Sequence, residues 1–536
     1  LGNGVPGSLV GGVTPDPSTG APVTDLEPFA LVVLVVAAAG LIAVVSSRLS
    51  EWVKVPSPAI VFVGAAVSAQ FVPSLRPVSE FTVERVVTVA LLCILFDGGM
   101  HIGWSRFRKA AVPITVVGVF GTVLTVGAAA ALIHYAFGLE WYIALLVGTA
   151  VAPTDPAVVF SVLGKREVSG PSGTILEGES GTNDPVGIAL MASLIGAGSL
   201  SASAWGNVGG DFLLQMGVGA AVGFLGGRAL LWFMRKVALA SEGLYSLRTL
   251  ACALIIFGVA TAAHGSGFLA VFVAGIVIGD EPAPFKREIE RFHGTLASLG
   301  EIVAFLALGL TVDLEVISHG DVWIPGLILA VVVAFVIRPV LVGLCLIPSG
   351  LPRNQAAFVL FAGLKGAVPI LLGSFILLAP VPDAERLYGI VVVVVVFSVV
   401  VQGSLAPVVA RWLKVPMRVI EPQPWALGVR LQSEPDGVHR FTVAAGSRAD
   451  GRSIQDLTEV SDEAWVSMVV RVGKLVPVRP TTRLKAGDDV VIFAGPETRA
   501  ELVRAFGLEE VGGPGTGSVA AWGSKARRRS SRKAKD

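Results

Sequence analysis

Apolar stretches separated by short polar turns run from residue 28 to residue 412. They lie near 28–47, 57–73, 83–100, 112–136, 141–163, 174–197, 211–234, 247–264, 266–280, 297–312, 322–347, 355–380 and 386–412. About 20 such residues in a helix cross the ~30 Å hydrocarbon core of a bilayer, so the pattern predicts about thirteen transmembrane helices. After Arg411-Trp412-Leu413-Lys414 the pattern changes. Residues 439–507 alternate short β-type runs (440–444, 465–470, 475–478, 490–494) with Gly-marked turns and end on an amphipathic stretch, 497–506. That reads as a small α+β domain on the cytoplasmic side.

Composition narrows the class. Of 536 residues 53% are hydrophobic and only 15% charged, and the mean hydropathy is +0.74; soluble domains do not have these values. The net charge of +1 says little about partners, because most charge sits in short loops or after Val415. Alternate loops are basic: Arg48 and Lys54; Arg106, Arg108 and Lys109; Lys165 and Arg166; Arg235 and Lys236; Lys286, Arg287 and Arg291; then Arg353. Those between hold little beyond Arg76, Arg85 and Arg386. Lys and Arg collect on the cytoplasmic face, which places the N-terminus outside, the C-terminus inside and the helix count at an odd number. Residues 1–27 are expected to be disordered and lack the basic start of a cleavable signal; the chain's start at Leu1 reads as trimmed. Residues 416–438 read as a linker between the membrane domain (28–415) and the small domain. Residues 508–536 read as a disordered basic tail, with contact to anionic lipid as the sharper alternative. Cys93, Cys252 and Cys345 have no metal or redox spacing and read as small buried hydrophobes.

The chemistry lies in a few polar groups set into apolar spans. Charge is costly there and is usually kept because something ionic passes. Transporters built from inverted repeats bind their cargo where matching helices are interrupted at mid-membrane. Pairing the spans about the seventh matches the fifth with the twelfth, and both are interrupted: Val151-Ala152-Pro153-Thr154-Asp155-Pro156 and Gly363-Leu364-Lys365-Gly366-Ala367-Val368-Pro369. Pro removes a helix hydrogen bond and Gly tolerates non-helical backbone, so each is expected to unwind. Asp155 would then offset positive helix N-termini and Lys365 negative C-termini. Asp184 has no cation beside it in sequence. A carboxylate in such a place that titrates near neutral pH holds either a proton or a cation, and competition for one site couples two fluxes. Asn183, Ser180 and Thr154 would add the neutral oxygens a small monovalent cation prefers. Glu179 and Arg338, each prohibitive alone, are expected to form a structural ion pair. Asp97 reads as a possible ion ligand or an interfacial residue near a helix end, Glu177 and Glu301 as weaker candidates, and His264 as packed or interfacial. No nucleophile–base pair or metal constellation suggests an enzyme, and nothing suggests nucleic acid.

Gly178-Glu179-Ser180-Gly181-Thr182-Asn183-Asp184 resembles the Asn-Asp helix of cation:proton antiporters of the NhaP/NHE type, and residues 151–156 resemble the unwound helix before it. Residues 267–275, Gly363-Leu364-Lys365-Gly366-Ala367-Val368 and Val401-Gln402-Gly403-Ser404-Leu405 are further matches. The resemblance spans roughly residues 28–415. It implies an all-α polytopic membrane protein with an NhaA-like fold: inverted repeats and two crossed broken helices. It further implies Asp184 as the ion- and proton-carrying carboxylate, Asn183, Thr154 and Ser180 as its partners, and Glu179–Arg338 as a buried pair. Electroneutral one-for-one exchange of K⁺ or Na⁺ for H⁺ would go with an Asn-Asp pair, and a homodimer in a bacterial inner membrane with the family. Lys365 replaces the Arg of animal relatives. Residues 451–454 and 484–495 resemble the TrkA-C (RCK-C) module, which implies regulation, a lean towards potassium and a nucleotide or other small ligand; no other cofactor is expected. A gated cation channel carrying that module, and an organic anion transporter on the same fold, are the rival readings.

Overall fold

The computed structural model describes residues 40–41, 55–71, 79–163, 166–199, 202–419, 438–458, 465–471, 474–494 and 499–506. All of the first predicted span but residues 40–41, most of the 416–438 linker and both predicted disordered ends lie outside the described residues. The chain divides into two compact units, 1–421 and 422–536.

The first unit is helical: α1 (Ser57–Phe71), α2 (Glu80–Thr115), α3 (Thr122–Phe137), α4 (Trp141–Val151), α5 (Pro156–Leu163), α6 (Pro171–Ala197), α7 (Ala202–Lys236), α8 (Glu242–Ala262), α9 (Gly267–Gly279), α10 (Lys286–Leu310), α11 (Gly320–Val332), α12 (Arg353–Phe361), α13 (Ala367–Leu378), α14 (Ala384–Val396) and α15 (Gly403–Trp412). Six continuous helical segments among the described residues are long and apolar enough to cross a membrane, and α1, α4, α9 and α13 are shorter apolar helices. One boundary differs from the sequence reading. Where a loop is expected between 100 and 112, α2 runs on, kinked at Gly103 (φ 66°). Arg106, Arg108 and Lys109 lie on exposed helix surface, where charge does not break a helix. The kink is held by Asp280, whose carboxylate accepts from the Ser105 N–H.

Without a hydrophobic drive between helices in lipid, close approach through small residues does the packing. Gly99 and Gly103 of α2 face Gly275 and Gly279 of α9, each a four-residue repeat. A Cβ on Gly275 would run into the Phe96 carbonyl, and one on Gly99 into the Phe272 carbonyl. Gly219, Gly223 and Gly227 of α7 meet the α9 side at Ser266, Ala270 and Ala274 in the same way.

Two short strands finish this unit. β1 (Arg166–Val168) pairs antiparallel with β2 (Met417–Val419), Val168 opposite Met417, and the Ser169 N–H donates to the Pro416 carbonyl at 3.0 Å. The loop between α5 and α6 is thereby tied to the chain leaving α15.

The second unit holds a four-stranded antiparallel sheet in the order β3 (Val438–Thr442), β6 (Asp489–Phe493), β4 (Trp465–Arg471), β5 (Lys474–Val476), followed by helix α16 (Arg499–Phe506). Phe441, Val469, Val490, Ile492 and Phe506 form its core. Arg471 grips Asp488 with two 2.7 Å hydrogen bonds. Burial pushes the Asp488 carboxyl up, but Arg471 and the Lys485 N–H outweigh it and hold the group below its usual range.

Candidate functional site: the crossing of two unwound segments

The helix from Trp141 stops at Val151 and restarts at Pro156, and the one from Arg353 stops at Phe361 and restarts at Ala367. Pro153 and Pro156 deny the first segment helix donors, and Gly363 and Gly366 let the second take non-helical backbone. The two segments bond to each other: the Asp155 N–H donates to the Leu364 carbonyl at 2.7 Å. Gly is required at the contact, because a Cβ on Gly366 would overlap the Asp155 carboxylate.

Lys365, only 4% exposed, reaches across to the end of α4. Its ammonium donates to the Ala152 carbonyl at 2.8 Å and the Pro153 carbonyl at 3.2 Å, groups a helix C-terminus leaves without partners and negatively polarised. Its own N–H donates to the Ser398 hydroxyl. Ser398 in turn donates to Gln402, which donates to the Phe361 carbonyl at 2.6 Å.

α6 passes beside the crossing and presents Ser180, Asn183 and Asp184, all buried. The Asn183 amide donates to the Thr154 hydroxyl at 2.7 Å and accepts from the Thr154 N–H at 3.4 Å; the Ser180 hydroxyl donates to the Thr154 carbonyl at 2.6 Å. Asp184 is 5% exposed. Its Oδ1 is shut from solvent and has no hydrogen-bond partner among the described residues. Among the described residues no ion pair closes on it.

Glu179 is turned the other way on the same helix. It meets Arg338 at 2.7 and 3.0 Å, and the guanidinium also donates to the Leu360 and Val359 carbonyls at the end of α12. Gly363 lies against that guanidinium, leaving no room for a Cβ. Asp97 sits within α2 at 3.2 Å from the His101 ring, away from a helix end because α2 continues past residue 100. His264 is an exposed turn residue with φ 59°.

The profile of the family described as sodium/hydrogen exchanger, transmembrane, matches residues 32–412, and the TrkA-C domain matches 438–507. The chain belongs to the sodium/hydrogen exchanger family. A K(+)/H(+) antiporter, NhaP of Alkalimonas amylolytica, is 34% identical over 476 residues, covering 87% of this chain and 82% of the relative. The K(+)/H(+) antiporter NhaP2 of Shewanella oneidensis is 31% identical, covering 79% and 74%. An Na(+)/H(+) antiporter NhaP of Pseudomonas aeruginosa is 25% identical over 61% of this chain. In fold, the chain resembles the sodium proton antiporter MjNhaP1 of Methanocaldococcus jannaschii, with a TM-score of 0.61 at 20% identity over 72% of this chain and 99% of that one.

Within this exchanger the crossing also uses residues that sequence reasoning gave no role. Ser398 and Gln402 steady Lys365 and the end of α12. Their signal was visible: two polar side chains four apart in an otherwise apolar span fall on one helix face.

Proposed function

We propose that this exchanger is a monovalent cation/proton antiporter in which a cation and a proton compete for Asp184. The observation that carries the reading is the buried Asp184 Oδ1 without a partner, next to neutral oxygens of Asn183, Thr154 and Ser180. A carboxylate left so must take up a proton or a cation, because an uncompensated charge at that depth is costly. Thr154 and Ser180 are the further oxygen donors for a dehydrated K⁺ or Na⁺. Lys365 and Asp155 compensate the crossed helix ends, and Glu179–Arg338 fixes α6 against α12. Asp97, paired with His101, is not needed as a ligand in this reading.

The relatives named for K⁺ support a potassium preference, and the Na⁺-named relative keeps sodium as the alternative. One carboxylate exchanging one charge for another supports electroneutral exchange. The two interrupted helices in matching halves support an inverted repeat of about thirteen spans, and alternating access moves a core bundle against a static dimerisation domain. Loop charge supports a cytoplasmic C-terminal domain in a bacterial inner membrane. The family supports a homodimer, and the TrkA-C domain a regulatory role with a small ligand.

In proteoliposomes Asp184→Asn is expected to reduce cation-driven pH change to the background of empty vesicles while the protein still elutes as a folded species. Unchanged exchange by the variant would overturn the assignment.

A further inference from the structure

Asp184 and Glu301 both lie deep in the helical unit and make no ion pair among the described residues. Glu179 has Arg338 and Asp97 has His101. Glu301 lies in α10, 15 residues from Lys286 and nine from Leu310, so about 22 Å and about 14 Å from those ends at the α-helical rise. Its Oε1 is fully buried and without a hydrogen-bond partner. That depth is within hydrocarbon, where a lone ionised carboxylate is retained only for a use.

Its surroundings point to the use. α10 packs against α1, α2, α8 and α13. α1 and α13 carry no titratable side chain. α8 brings Glu242, Tyr245, Arg248 and Cys252, the last two turned to other work or apolar packing, since Arg248 donates to the Val237 carbonyl. α2 brings Glu80, Glu84, Arg85 and Asp97 in the part along α10. Of these neighbours, α13 starts at Ala367, where the second unwound segment ends. In the other direction both α10 and α13 lead to a cavity of about 190 Å³, lined by Glu80, Asp313, Glu385, Thr311, Tyr388 and Leu377. Beside it the Tyr388 and Thr311 hydroxyls share a 2.7 Å hydrogen bond. Glu301 therefore lies on a helix that packs against the helix leaving the crossing and that ends at the acidic cavity.

We propose that Glu301 is a proton relay for the transport reaction, passing protons between this cavity and the Asp184 site without binding the cation. This rests on Asp184 being the shared site. In the step, the O–H bond of a protonated Glu301 breaks and one forms on the Asp184 carboxylate, directly or through water. The Glu301 carboxylate then takes a proton from the cavity. One proton enters and one is delivered, so one-for-one exchange is preserved.

The test separates proton-coupled exchange from cation self-exchange, which needs no proton. In proteoliposomes, with K⁺ or Na⁺ according to what the wild type carries, isotopic cation/cation exchange and cation/H⁺ exchange are measured on the same preparation. Glu301→Gln is expected to slow cation/H⁺ exchange on the order of 100-fold, the lower end of what a positioned proton carrier contributes, with self-exchange and cation KM unchanged. Glu301→Asp, which keeps the acid, is expected to recover most of the rate. A parallel fall of both modes, a raised cation KM, or no change in either overturns the relay. If Glu301→Gln does not fold, Glu301→Ala takes its place: a cation/H⁺ rate lowered on the order of 100-fold at intact self-exchange supports the relay, and equal rates or a parallel loss overturn it. Asp184→Asn serves as reference, since it should lose both modes. If it keeps both, the shared-site reading fails independently of Glu301.

Discussion

Charge inside the membrane is sorted by partner. Glu179 and Arg338 close on each other and on two carbonyls, which makes them a fixed brace. Removing one member of such a pair leaves the other buried and unpaired, a loss of about 3–5 kcal/mol. Glu179→Ala is therefore expected to lower folded yield sharply, while Glu179→Leu together with Arg338→Met recovers much of it. Detergent size-exclusion profiles of the three proteins check this, and normal yield with altered cation affinity in the single variant would contradict it. Lys365 serves carbonyls, while Asp184 is left with an unpartnered oxygen. Sequence alone suggests a place for a charge where it meets a helix end or an opposite charge. It gives no such place for Glu301, because whether a carboxylate in a long helix is compensated depends on which neighbours the packing brings.

At the scale of elements, the interrupted helices were legible, since Pro153, Pro156, Gly363 and Gly366 each forbid or excuse regular helix. Their direct bond, Asp155 to Leu364, was not, because it joins residues more than 200 apart. The glycine repeats on α2, α7 and α9 are also present in the sequence, but only packing shows which backbone each one admits. The β1–β2 ribbon falls in the same class: two three-residue strands carry too little pattern to read. It shifts the end of the membrane unit from Val415 to beyond Val419. A chain ended after Val415 loses β2 and leaves β1 without its partner; one ended after Glu421 keeps the ribbon. The shorter protein is expected to melt at a lower temperature in detergent than the longer one, measured by light scattering or tryptophan fluorescence, and equal midpoints would show the ribbon to be dispensable.

For the whole molecule, the chain that leads on to the C-terminal unit leaves through β2, which is hydrogen-bonded to β1 in the loop just before α6, the helix that carries Asp184. Removal of residues 422–536 is expected to leave cation/H⁺ exchange running but to shift its dependence on cytoplasmic pH or ligand. Transport assayed across pH in full-length and truncated proteins checks this; superimposable profiles would remove the C-terminal unit as a regulator. What the amino-acid order determined unaided was the local part: spans long enough for a bilayer, a separate β-rich end, the two places where helix must fail, and a carboxylate set within an apolar span. These follow from side-chain hydrophobicity and backbone stereochemistry, which act over a few residues. Which charges meet, which carbonyls Lys365 covers, and which acids are left without a partner were decided only in the folded state, because burial and pairing are properties of distant segments brought together.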